Sequence, residues 1–155
     1  MRITLKRNNK KIFYLITLTL LGTAVIQDAS AKKIDAKLEW RDLRKLKKLS
    51  KIPRKLSKVN GGRVTLPGFM VPLDGDEDGV GEFLLVPSQG QCIHVPPPPP
   101  NQMVHVKMQK VKTEFTWQPI IVEGTFKIKK FKSPFGDALF TIKGFKVKPF
   151  KPGKY

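Results

Sequence analysis

Five consecutive prolines at residues 96–100 constrain the fold of this 155-residue chain more than any other feature. Each proline fixes its own φ angle and lacks a backbone N–H donor, so the run cannot belong to a helix interior or to a hydrogen-bonded central strand. A stiff polyproline II segment is the conformation that remains. We expect either a rigid spacer that crosses one end of the domain or an exposed handle for a partner with an aromatic groove.

The chain has a single cysteine, Cys92, which stands two residues before His94 and just upstream of the prolines. In an extended segment, residues i and i+2 point to the same side, so a thiolate and an imidazole would be presented together. Zinc accepts both groups, whereas a thiolate disfavours magnesium and calcium. One Cys-x-His pair is a weak motif on its own. The alternatives are a cysteine that is a small buried hydrophobe and a core histidine bonded to a backbone carbonyl.

Five segments of the chain have the composition of β-strands. They are residues 63–73, 81–87, 103–110, 119–129 and 138–148. Pro67-Gly68 predicts a bend or bulge in the first, and Gly124 and Gly144 stand where the last two would bend, as barrel strands must. We predict a mainly β domain over residues 62–155, built as a small OB-like, partly closed β-barrel of about five strands, with a β-sandwich as the alternative.

The first 31 residues have the three parts of a secretory signal peptide. Lys and Arg residues precede an apolar run at residues 12–26, which is short for a membrane span, and Ala29-Ser30-Ala31 is a small-x-small cleavage site. We therefore predict export, cleavage after Ala31, and a periplasmic or secreted protein that begins at Lys32.

Positive charge is concentrated in residues 32–63, which contain thirteen Lys or Arg against three acidic residues, in a chain of net charge +18. Residues 64–101 contain no Lys or Arg at all. The chain is thus divided into a basic arm, an acidic to neutral middle and a moderately basic last third. Such a cationic segment predicts an anionic partner or a well-solvated surface.

Apolar residues in the arm recur every three or four positions: Leu43, Leu46, Leu49, Ile52 and Leu56. This spacing predicts an amphipathic helix over residues 35–52, within a basic arm of residues 32–61. The helix can pack its leucines on the domain body, lie on an anionic membrane surface, or dock on a protein such as a membrane transporter component. Nucleic acid is not an expected partner, because an exported chain rarely meets it and Trp40 is the only aromatic residue of the arm.

The acidic segment Asp74, Asp76, Asp78 and Gly79 reproduces the opening spacing of a calcium-binding EF-hand loop. The glutamate that closes such a loop would fall at position 85, which is Leu85. We therefore interpret the segment as a solvated hairpin tip made of turn-forming residues.

Several strings of the sequence together resemble one family. They are Leu66-Pro67-Gly68-Phe69, Val71-Pro72-Leu73-Asp74, Glu82-Phe83-Leu84-Leu85-Val86-Pro87, and Cys92-Ile93-His94-Val95 through Asn101-Gln102. They are similar to the secreted bacterial domains of unknown function 3299, over residues 60–148. The resemblance implies a periplasmic protein, and for some members a tie to zinc handling beside export-type ABC transporter components.

Four residues are the predicted metal ligands: Cys92, His94, His105 and Glu82. Together they supply the thiolate, imidazole and carboxylate groups that zinc accepts in tetrahedral sets. We predict a periplasmic accessory protein that binds or handles a divalent metal alongside an ABC-type transport system, and zinc is the metal that we expect. No nucleophile and base with a third orienting group are recognisable in the sequence, so we expect no enzyme activity.

The alternative function is a non-enzymatic envelope interaction module. It would use the basic arm together with the polyproline segment and the two residues after it: Pro96, Pro97, Pro98, Pro99, Pro100, Asn101 and Gln102. The physical basis of this hypothesis is that exposed polyproline II segments dock on partners with little loss of conformational entropy.

Overall fold

The structure, a computed structural model, describes residues 36–76, 78–89 and 97–151. Its elements are β1 (Ala36–Lys37), α1 (Trp40–Leu43), α2 (Arg54–Val59), β2 (Arg63–Pro72), β3 (Glu82–Val86), a 3-10 turn (Pro100–Gln102), β4 (Val104–Met108), β5 (Ile120–Ser133) and β6 (Gly136–Pro149). The predicted signal peptide and the Cys92 and His94 pair lie outside the described residues. Within the described ranges, none of the helices has the length and hydropathy needed to span a membrane.

The sheet closes on itself. Its strand order is β1-β2-β3-β4-β6-β5, and β5 pairs again with β2, so the five long strands form a ring. The β4–β6 pair is parallel, and the other four pairs of the ring are antiparallel. The predicted mainly β domain of about five strands is confirmed, and each predicted strand overlaps one observed strand. The two-residue strand β1, which lies parallel to β2, was not predicted.

Two glycines allow the strands to approach closely where the ring bends. Strand β2 pairs with β5 up to Gly68 and with β3 from Phe69 onward. A Cβ atom at Gly68 would lie 2.7 Å from the carbonyl oxygen of Val86, so only glycine fits there. Similarly, the β5–β6 register shifts between Glu123 and Gly124, where a Cβ atom would overlap a backbone carbonyl of β6. Both positions match bends that the sequence predicts.

The basic arm packs on the body of the domain. Leu43, Leu46 and Leu56 are fully buried and belong to the same cluster as the ring's largest core residues, such as Phe83 and Phe126. The lysines of the arm that lie within the described residues are exposed. We call residues 38–46 and 54–59 the arm root and residues 47–52 the arm tip. Of the three arrangements considered for the arm, packing of its leucines on the body is the one that the arm root adopts.

The predicted continuous helix over residues 35–52 was wrong in its extent. Helix α1 spans four residues, and α2 begins only at Arg54, directly after Pro53. The side-chain amide of Asn101 donates hydrogen bonds to the carbonyl oxygens of Arg44 (3.1 Å) and Leu46 (3.0 Å). A longer helix would need these same carbonyls for its own hydrogen bonds, so this tertiary contact takes the place of further helical turns.

Candidate functional site

A second hydrophobic cluster lies on the face of the sheet opposite the main core. Because side chains of a strand alternate between faces, Phe83 and Leu85 point into the core while Leu84 and Val86 point away from it. Met103 and Ala138 join the outer pair, and the long β5–β6 hairpin brings Phe131 against them. This outer cluster is a buried apolar patch on the β3–β4 surface, separate from the main core.

His105 lies beside this outer cluster on β4. Its neighbours Val104 and Val106 are buried in the main core, so His105 is on the opposite face of the strand. His105 is nevertheless only 7% exposed. The ring of Phe131 stacks on it with 3.6 Å between the ring centroids and 5° between the planes.

Glu82 is the polar partner of His105. The antiparallel β3–β4 pairing brings Glu82 Oε1 to 2.6 Å from His105 Nε2, although the two residues are 23 positions apart in the sequence. The second carboxylate oxygen, Glu82 Oε2, accepts a hydrogen bond from Lys107 Nζ at 3.2 Å. Two of the four predicted metal ligands are therefore in direct contact, while the other two, Cys92 and His94, lie outside the described residues.

The environment of Glu82 and His105 determines which of their atoms carries a proton. Burial alone would raise the pKa of Glu82, but hydrogen bonds and charges from His105 and Lys107 lower the pKa of this carboxyl below its usual value. Burial lowers the pKa of His105, and this outweighs the opposing effect of Glu82. At neutral pH the pair is thus a carboxylate and a neutral imidazole. Since a carboxylate only accepts hydrogen bonds, the proton is on Nε2, and Nδ1 keeps its lone pair.

The described residues supply only part of a metal site. Within residues 36–76, 78–89 and 97–151 there is no group of three or more His, Cys, Asp or Glu side chains that could hold an ion together. The ammonium group of Lys107 beside Glu82 also disfavours a cation bound directly to that carboxylate. What the arrangement does provide is one oriented imidazole nitrogen donor, supported by a carboxylate.

The polyproline segment connects the body of the domain to the arm. Pro98 is buried, while Pro97, Pro99 and Pro100 are exposed, and Pro96 lies outside the described residues. Asn101 follows directly and donates its two hydrogen bonds to Arg44 and Leu46, just after the end of α1. Gln102 is half-buried. Pro98 is thus packed into the structure, while the three other described prolines are exposed to solvent.

The acidic segment before β3 is organised as a turn. Asp74 Oδ1 accepts hydrogen bonds from the backbone N–H groups of Gly81 (3.0 Å) and Glu82 (2.6 Å). Asp76 accepts from the N–H of Asp78 at 3.0 Å and pairs with the ammonium group of Lys112. These carboxylates are occupied by backbone donors and a lysine, which agrees with the interpretation as a hairpin tip.

The sequence did not predict two contacts of the arm root. Asp42, which is 3% exposed, accepts hydrogen bonds from Lys55 Nζ (2.6 Å) and from the Glu39 N–H (3.2 Å), so it joins α1 to α2. The indole Nε1 of Trp40 donates to the carbonyl oxygen of Pro67 at 2.7 Å. The sequence did carry one signal for the first contact, because Asp42 is the only acid between Arg41 and Lys58.

Comparison with known proteins places this fold in a family. No curated protein matches the chain. A crystal structure of a DUF3299 family protein from Pseudomonas aeruginosa PAO1 is similar, with a TM-score of 0.62 and 34% sequence identity, covering 78% of this chain and 97% of that chain. Residues 17–149 match the family described as "Protein of unknown function (DUF3299)". The match covers most of the sequence, and the chain therefore belongs to the DUF3299 family.

Proposed function

We propose that this protein is a non-enzymatic periplasmic accessory protein that binds a divalent metal ion and passes it on alongside an ABC-type transport system. Zinc is the ion that we expect. The observation that supports the proposal is the 2.6 Å contact between Glu82 Oε1 and His105 Nε2. Histidines that bind metals usually donate their second ring N–H to a carboxylate, which fixes the tautomer and the ring orientation. His105 has this partner, and stacking on Phe131 holds its ring in one plane.

The pair suggests separate roles for its two members. His105 would bind the metal through Nδ1, the nitrogen that the tautomer leaves with a lone pair. Glu82 would position the imidazole rather than bind the ion, because both of its oxygens already accept hydrogen bonds. Cys92 and His94 would supply a thiolate and a second imidazole. Three protein ligands leave one position of a tetrahedral zinc open, which suits an ion that must enter and leave.

Zinc titration of the chain from Lys32 to Tyr155 tests this proposal. Competition with a chromophoric zinc chelator at neutral pH should give one zinc ion per chain at micromolar or lower free metal. Cys92→Ser, His94→Ala and His105→Ala should each abolish that uptake. Glu82→Gln should weaken it by roughly 10- to 100-fold, the range typical for loss of a carboxylate that orients a metal-binding histidine.

Asp76→Asn is the matched control for Glu82→Gln, because Asp76 is also an acid paired with a lysine but belongs to the hairpin tip. It should leave zinc affinity unchanged, and circular dichroism should show that each variant is folded. Unchanged affinity in His105→Ala and Glu82→Gln would remove β3 and β4 from the site. If the wild-type chain takes up no zinc, copper or nickel, metal handling is wrong, and the exposed Pro97, Pro99 and Pro100 make the interaction module the function to test.

A further inference from the structure

The arm tip is an apolar and cationic surface that nothing in the described residues covers. Leu49 and Ile52 continue the spacing of the buried leucines, yet they are 46% and 40% exposed. Leu46, one step earlier in the same series, is fully buried. Two aliphatic side chains three positions apart in a short segment are thus partly exposed to water, and their burial against another surface would be favourable.

The charges around these two side chains are also uncompensated. Lys47, Lys48 and Lys51 are exposed, and none of them forms an ion pair with another described residue. Residues 40–59 contain nine Lys or Arg and one acid, Asp42, which is already paired with Lys55. The arm tip therefore presents three exposed ammonium groups within the same six-residue segment as its two exposed aliphatic side chains.

We propose that the arm tip docks this domain reversibly on a bilayer that contains anionic phospholipid. Lysines attract an anionic lipid surface at long range, while aliphatic side chains enter the boundary between headgroups and acyl chains. The long lysine side chains can keep their ammonium groups at headgroup level while Leu49 and Ile52 go deeper. An acidic protein partner would also neutralise the charge. The lipid is the better fit, because a fluid surface needs no groove of fixed shape around two flexible side chains.

Vesicle binding tests the proposal. The probe is large unilamellar vesicles of phosphatidylcholine, with or without about a third of phosphatidylglycerol, since lipid charge is the variable that the mechanism depends on. The protein is the chain from Lys32 to Tyr155, of which Lys33–Tyr155 form a compact unit. Sedimentation should show binding to the anionic vesicles, weaker binding at high salt, and little binding to pure phosphatidylcholine. EDTA in the buffer makes the result independent of the proposed metal site.

Variants separate the arm tip from the general charge of the protein. The triple variant Lys47→Gln, Lys48→Gln and Lys51→Gln should lower the partition coefficient by about 100-fold, at roughly fivefold for each lysine near an anionic surface. Its matched control removes three exposed lysines of β5 that have no ion pair among the described residues: Lys127→Gln, Lys129→Gln and Lys132→Gln. The control should change the partition coefficient by only a few-fold.

The apolar contribution has its own variant. Leu49→Ser with Ile52→Ser should reduce binding several-fold, and most clearly at high salt, where screening has weakened the attraction of the lysines. Equal losses in the two lysine triples, or equal binding to neutral and anionic vesicles, would overturn the proposal. No binding of the wild-type chain to anionic vesicles would also overturn it, and would leave an acidic protein as the partner to seek for this surface.

Discussion

The arm root and the arm tip differ in structure although their sequences are alike. Both contain leucine or isoleucine at three-residue spacing among many lysines and arginines. Leu46 in the arm root is fully buried, whereas Leu49 in the arm tip is 46% exposed. Composition and spacing therefore do not separate the two parts. The two parts differ in their tertiary contacts. Asn101 and Pro67 form hydrogen bonds with the arm root, and no described residue binds the arm tip in the same way.

The largest expected effect comes from removing the arm. The sequence predicts that residues 62–155 form the domain, but five arm residues belong to its main core: Leu38, Leu43, Leu46, Leu56 and Val59. Loss of five buried side chains at about 2 kcal/mol each is on the order of 10 kcal/mol, comparable to the whole stability of a small domain. A chain that starts at Asn60 should therefore show no cooperative thermal transition by circular dichroism. A sharp melt close to that of the longer chain would contradict the packing described.

Single substitutions sharpen the comparison within the leucine series. Leu46→Ala should lower the free energy of unfolding by about 2–5 kcal/mol, because it leaves a cavity in the core. Leu49→Ala should change it by less than about 0.5 kcal/mol, since the side chain is nearly half exposed. Urea denaturation of both variants measures the difference. Similar losses in both would show that the arm tip is buried in solution.

The sequence predicts the ring strands well because their signals are local. The strand-like composition of five segments located all five long strands. The glycine at position 124 marked a register shift without any knowledge of its partner strand. Glu82 and His105, two of the four predicted ligands, are in contact through a hydrogen bond that depends on strand pairing, and the metal site itself stays a prediction.

The arm was predicted less well because its structure depends on distant residues. The leucine spacing is compatible with one helix, and nothing near residue 44 indicates that the helix should end there. Asn101, which bonds to that end, is 57 residues away from Arg44 in the sequence. The Asp42–Lys55 pair and the Trp40–Pro67 hydrogen bond are likewise tertiary contacts. Periodicity indicates which residues share a face of a helix, but it does not indicate which tertiary contact ends the helix.

Asn101 is the residue that holds the end of the arm root. Asn101→Ala should lower the free energy of unfolding by about 1–2 kcal/mol, because two backbone carbonyls lose a donor. Gln102→Ala is the matched control, since Gln102 is the adjacent amide and makes no side-chain hydrogen bond that holds the arm. Hydrogen exchange should show faster exchange in residues 40–46 for the Asn101 variant. Unchanged exchange there would mean that the arm root is held by its leucines alone.

The smallest expected effect is the pH dependence of the Asp42–Lys55 pair. Burial alone would raise the pKa of Asp42, but the hydrogen bonds from Lys55 and Glu39 and the charges of Lys55 and Lys45 lower it below its usual value. A carboxyl group whose folded pKa is lowered contributes stability above its unfolded pKa and loses that contribution as the pH falls through the folded pKa.

Asp42→Asn should therefore cost about 1 kcal/mol at neutral pH, a modest value because Lys55 is half exposed. The cost should shrink as the pH is lowered below about 4, the usual pKa of an aspartate. Urea denaturation of wild type and variant across this range gives the difference directly. A constant difference would show that Asp42 joins the two helices through shape and hydrogen bonding, with no contribution from its charge.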